Sequence, residues 1–124
     1  MGGFHINIEQ KSLENGNFRE VLFTTKLSQL VVMSLRPGEE IGLETHEEHD
    51  QFIRVESGVG KAVIDGVEYQ LGDGSAIVIP AGSEHNVVNL SDEDEMKLYT
   101  IYTPPEHEDG TIHATKAEAE AAHH

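Results

Sequence analysis

Eight histidines are spread over a chain that has no cysteine, and two of the stretches that hold them have an order that can do chemistry. The first runs from Pro37 to Gly58 and contains Glu44, His46, His49, Asp50 and Gln51. Glu44 and His46 are two apart, so on a strand they point to the same face. Gln51, Ile53 and Val55 share a face of the next strand, which directs Gln51 inward and Arg54 and Glu56 outward. A buried glutamine beside apolar neighbours needs partners for its amide, and a metal ion would take its carbonyl oxygen. The second stretch runs from Gly74 to Asn89. There a Pro80-Ala81-Gly82 turn delivers His85 at the start of a strand, with Val87 and Asn89 on the same face. Imidazole nitrogens with carboxylate and amide oxygens suit one divalent ion with positions left open for a substrate. Thiolate ligands, cysteine nucleophiles and disulfides are excluded.

Positioning such residues is work for strands. Twelve glycines punctuate short runs rich in Val, Ile, Phe and Tyr, the rhythm of an antiparallel sandwich or barrel. The runs predict strands over Phe4–Glu9, Arg19–Thr25, Gln29–Leu35, Ile41–Thr45, Gln51–Glu56, Lys61–Ile64, Val67–Gln70, Ala76–Ile79, Glu84–Asn89 and Lys97–Tyr102. Asn15-Gly16 is expected to turn the chain between the first two strands. Asp65-Gly66 is the strongest hairpin signal, and Pro37-Gly38 fits a type II turn. The strand rhythm stops at Thr103-Pro104-Pro105. A capping box at Thr115 and Glu118 predicts a short helix over 115–122. Residues 1–104 are thus read as one β domain, and 105–124 as a tail with a short helix.

Lys plus Arg is 8 and Asp plus Glu is 23, a net charge of −15 over 124 residues. That field repels a phosphate backbone and an anionic membrane surface, so neither nucleic acid nor membrane is expected as a partner. The apolar runs are far shorter than a membrane span, and no signal peptide is expected, which predicts a cytoplasmic protein. No lysine or arginine is assigned to the barrel interior, so a neutral substrate is favoured over a phosphorylated one. His49 and Asp50 compete for the metal if the chain bulges after His46. Tyr99 and Tyr102 are assigned to core packing, with one of them lining the cavity as the alternative; His107 and His113 are assigned to the surface, with a lid over the barrel mouth as the alternative; and Asn89 is assigned to satisfying backbone groups near its turn.

The second stretch resembles the second motif of the cupin superfamily at every position: Gly74, Pro80, Gly82, His85 and Asn89 at the family's spacing. The first stretch is similar to the family's first motif, with Glu44 and Gln51 where the usual pattern has His and Glu. The resemblance covers about residues 28–103. It implies a jelly-roll β-barrel with one mononuclear metal, Fe, Mn, Ni, Co or Zn, held by Glu44, His46, Gln51 and His85. It also implies a homodimer whose N-terminal strands pack across the interface. The function expected is that of a metal-dependent enzyme on a small polar organic substrate, by dioxygenase- or isomerase-type chemistry, with Glu44 as candidate base. The alternative is a non-catalytic cupin that binds or senses a small molecule or sugar.

Overall fold

The computed structural model describes residues 2–122, so His123 and His124, which the sequence reading left out of the site, lie outside the described residues. The elements in chain order are α1 (Ile8–Glu14), β1 (Arg19–Thr24), β2 (Gln29–Leu35), β3 (Glu44–Thr45), β4 (Asp50–Ser57), β5 (Gly60–Ile64), β6 (Val67–Leu71), β7 (Ala76–Ile79), β8 (Glu84–Asn89), β9 (Met96–Thr103), β10 (Ile112–His113) and α2 (Lys116–Ala121). Ten strands form two antiparallel sheets, β10-β1-β2-β9-β4-β7 and β3-β8-β5-β6. This is the jelly-roll architecture the strand rhythm implies, with the short C-terminal helix in place.

The apolar faces of the two sheets meet over Met33, Leu35, Ile53, Val55, Ala62, Val87, Met96 and Leu98, all buried. Alternation along β4 follows the expected parity: Gln51, Ile53 and Val55 are buried, while Phe52 and Arg54 are half-buried on the outer side. Arg54 Nε meets Glu56 Oε1 there at 3.0 Å. The Asp65-Gly66 hairpin closes with both residues at positive φ, 47° and 82°, as a two-residue turn of the primed kind requires.

The N-terminal strand is a correction. Residues 4–7 are irregular and Ile8–Glu14 is a helix, because Asn7 caps it by accepting from Gln10 N at 3.0 Å and most of the residues that follow are good helix formers. The Asn15-Gly16 hairpin turn fails for the same reason. Asn15 is the helix C-cap, and its Oδ1 accepts from Asn17 N at 3.0 Å in a side-chain turn. The strand expected over Ile41–Thr45 shrinks to Glu44–Thr45, because Gly42 sits at φ 111° and interrupts the pairing. The tail returns to the body. Ile112–His113 pairs with β1, and Ala119 of α2 is buried against the core.

Gly60 marks a tight crossing between the sheets, where an added Cβ would collide with Met96 Cε and the Val88 carbonyl oxygen. Gly60→Ala is therefore expected to lower stability by about 1–3 kcal/mol, the range of overpacking, read as a lower urea midpoint at unchanged slope.

Candidate metal centre

Two residues of β3 pair with β8, and the register places Glu44 directly opposite His85. The turn before β8 is held from three sides. Ser83 N donates to Pro80 O at 3.1 Å, Gly82 N to His46 O at 2.8 Å, and Ala81 N to Asp50 Oδ1 at 2.9 Å. Gly82 takes φ 86°, a conformation that favours glycine. The Gly82–His46 bond ties the chain just after β3 to this turn, so His46 and His85 are positioned by one piece of backbone. Their rings lie 5.3 Å apart. The ligand atoms of Glu44, His46 and His85 all fall within 4.8 Å of one another.

His85 is 3% exposed, and its Nδ1 lies 3.0 Å from Ser83 O. A carbonyl can only accept, so Nδ1 carries the proton and Nε2 presents a lone pair. That Nε2 is buried with no hydrogen-bond partner, as is His46 Nε2. Gln51, 3% exposed, donates from Nε2 to Thr100 Oγ1 at 3.1 Å, and its Oε1 is also buried without a partner. Buried acceptors left unmade cost about 1–3 kcal/mol each. The unpartnered Nε2 atoms of His46 and His85 beside the Glu44 carboxylate fit a divalent cation, and the Gln51 oxygen, on the strand paired with Tyr102, is a further donor without a partner.

The competitors are accounted for. Asp50 is exposed and spends Oδ1 on the Ala81 amide. His49 turns to the tail, with Nδ1 2.7 Å from Pro104 O and Nε2 2.8 Å from Glu106 Oε2. Asn89 satisfies backbone, donating to Leu35 O, Arg36 O and Asp94 O and accepting from Ser91 N.

Glu106 and Arg19 were missed in the sequence, and His107 was given to the surface ahead of the barrel mouth. Glu106 reaches 3.7 Å from His46 Nδ1. It is delivered by buried Gln29, whose Oε1 accepts from Glu106 N at 3.3 Å and His107 N at 2.9 Å while Nε2 donates to His107 O at 2.7 Å. His107, assigned to the surface, packs edge-on against Tyr102 at 5.2 Å, and Tyr102 in turn against His46 at 5.9 Å. Tyr102 is thus both core and lining. Arg19, assigned nowhere inside, is buried in the interior at 3% exposure. Parity carried the signal for Gln29 and Arg19, since each shares a strand face with buried apolar residues, Val31 and Met33 for one and Val21 for the other.

A family model for the cupin domain matches residues 31–102. The chain belongs to the cupin family. It is 46% identical over 125 residues to the protein YrkC of Bacillus subtilis, covering 96% of this chain and 67% of that one. It is 42% identical over 110 residues to protein L612 of Acanthamoeba polyphaga mimivirus, covering 86% and 69%. The crystal structure of BH2720 from Bacillus halodurans superposes with a TM-score of 0.92 at 44% identity, over 95% of this cupin and 93% of that chain. Among the described residues no helix is long and apolar enough to cross a membrane.

Burial pushes the Tyr102 hydroxyl well above the usual phenol range; Arg19 opposes this, while Glu44 and Glu106 add to it. The folded protein then holds a proton at Tyr102 that the unfolded chain loses above roughly pH 10, so stability falls as pH rises past that point. Spectrophotometric titration is expected to show Tyr102 ionising only as the protein unfolds, and Tyr102→Phe to flatten the alkaline loss of stability.

Proposed function

We propose that this cupin is a metal-dependent enzyme that takes one divalent ion on Glu44, His46, Gln51 and His85 and acts on a small, oxygen-rich organic molecule. The observation that carries the proposal is the pair of buried, unpartnered Nε2 atoms of His46 and His85 beside the Glu44 carboxylate, with the Gln51 oxygen likewise buried and without a partner. Two imidazoles with one carboxylate resemble the donor set used for non-haem iron, and the amide oxygen adds a further hard donor. The ion supplies Lewis acidity to a coordinated oxygen and, where it is iron, a means of using dioxygen.

The chain's own residues do the rest. Ser83 O fixes the tautomer that leaves His85 Nε2 basic, and Thr100 orients the Gln51 amide. Glu44 is half-buried at the edge of the centre, where a carboxylate can take a proton from a bound molecule. Tyr102 stays neutral and offers its hydroxyl as a donor. The His107–Tyr102 pair and the segment pinned by Gln29 form the flank on the Glu106 side.

The same reading places the protein in the cytoplasm as a homodimer. Residues 4–7, expected as part of an N-terminal strand, are irregular, and Phe4 stacks on Phe23 at 5.0 Å. The outer face of the six-stranded sheet, with Phe52, Tyr99 and Ile101, is the apolar surface available for pairing.

Elemental analysis of protein purified without chelator is expected to find about one divalent ion per chain, and His85→Ala to weaken uptake at least about tenfold. A panel of catechols, flavonoids, keto acids and aldose phosphates is expected to give product that chelator abolishes and metal restores. Protein that takes up no metal on titration, or turnover indifferent to chelator, overturns the proposal.

A further inference from the structure

Arg19 is the one buried arginine of a strongly acidic chain; Arg36 is exposed and Arg54 half-buried. Among the described residues no carboxylate lies within ion-pair distance of it. Its polar neighbour is His113, with Nη1 3.5 Å from the ring Nδ1, and its Cζ stands 5.3 Å over the Phe18 ring. Its Nε is buried with no hydrogen-bond partner. A buried guanidinium without an anion is costly, and a protein with 23 acidic residues has had every opportunity to supply one. The placement makes sense if the anion arrives with the ligand.

The surroundings show where it would arrive. Arg19 lines a cleft of about 210 Å³ together with Phe18, Ile41, Glu44, Lys116 and Glu120. Lys116 is only loosely engaged, 3.8 Å from Glu120. Glu44 therefore borders both this cleft and the group with His46 and His85. The charges of Arg19 and Glu44 also both act on the Tyr102 hydroxyl, whose ring packs against His46. Glu44 and Glu106 together would balance a divalent cation, which leaves Arg19 as the buried charge without a counterion among the described residues, in a molecule of net charge −15.

We propose that Arg19 is a substrate-binding residue for a carboxylate, so that the molecule taken by this barrel is a small organic acid, its carboxylate on the Arg19 guanidinium and a hydroxyl or carbonyl oxygen turned toward the Glu44 side. This rests on the reading of the centre given above and names the substrate class for it. It replaces the expectation of a neutral substrate. A guanidinium pairs with a carboxylate through two parallel N–H bonds, and here the buried, fixed fork is already desolvated. The cleft sets two cations, Arg19 and Lys116, against two carboxylates, Glu44 and Glu120, a balance that suits a singly charged group better than a doubly charged phosphate.

The test is a titration of the ¹⁵N-labelled full chain, following the Nε–Hε resonances of its three arginines, the Arg19 signal being assigned by its loss in Arg19→Gln. L-malate is the probe, its uncharged diamide the control, and both are added to Zn²⁺-loaded and to chelator-treated protein. The expected result is a saturable shift of the Arg19 resonance with L-malate and none with the diamide. Arg19→Gln is expected to bind L-malate at least about tenfold more weakly, with Arg19→Lys in between. An Arg19 resonance that stays fixed, an Arg19→Gln variant with wild-type affinity, or inorganic phosphate binding more tightly than L-malate overturns the proposal. If Arg19→Gln does not fold, Arg19→Lys supplies the assignment and the wild-type titration decides. Failure to take up Zn²⁺ overturns the metal reading, and the Arg19 signal of chelator-treated protein still decides this one.

Discussion

The register of β9 is the constraint on which the interior depends. Over its whole length β9 is paired on both sides, to β2 from Gln29↔Tyr102 to Leu35↔Met96, and to β4 from Asp50↔Thr103 to Ser57↔Lys97. A slip of one residue would turn Thr100 and Tyr102 to the outside and expose Leu98 and Met96 with them. Because that slip is so costly, Gln29, Tyr102 and Gln51 stand in one row across the sheet. From that row come the clamp on the tail, the ring against His46 and the buried amide oxygen of Gln51. The facing sheet contributes only Glu44 and His85, opposite each other on a pairing two residues long. The short pairing is tolerable because the Pro80–Ser83 turn and the Gly82–His46 bond do the holding.

Polar groups inside this barrel fall into two kinds. Asn89, Gln29 and Thr100 have hydrogen-bond partners and act as fixed supports. His46 Nε2, His85 Nε2, Gln51 Oε1 and Arg19 Nε have none. His85 Nε2 and Gln51 Oε1 are acceptors, His46 Nε2 is one when its proton sits on Nδ1, and Arg19 Nε is a donor. Their needs differ in sign, so one kind of guest cannot satisfy them all. A cation answers the acceptors and an anionic group answers the donor, which is the pairing that a chelated organic acid brings.

Much of this was legible in the sequence, for reasons that differ by element. Period-two alternation fixed Gln51 inward and Arg54 outward, and the spacing from Pro80 through Gly82 to His85 described a turn that delivers a histidine. Bounds of β2, β7 and β8 agree because tight turns or prolines flank them. Residues 4–9 misled because Phe4, Ile6 and Ile8 alternate like a strand, while the decisive force was a single Asn7 side chain capping a helix. Glu106 was out of reach since its place depends on a bond to Gln29, 77 residues away in sequence. Arg19 was readable by the same parity that placed Gln51. Its charge, taken as a sign of the surface, hid it.

The edges of the two sheets are handled unequally. β10 covers β1 at one side of the larger sheet, and the other side ends at β7, Ala76–Ile79, with Val78 exposed. An apolar, open edge is an invitation to intermolecular strand pairing, and proteins blunt such edges by keeping them short or stopping them with proline. Pro80 does this at the residue after Ile79. The residue that opens the turn carrying His85 therefore also limits how far a neighbouring chain can extend the sheet, so selection for solubility and selection for the centre act on one position.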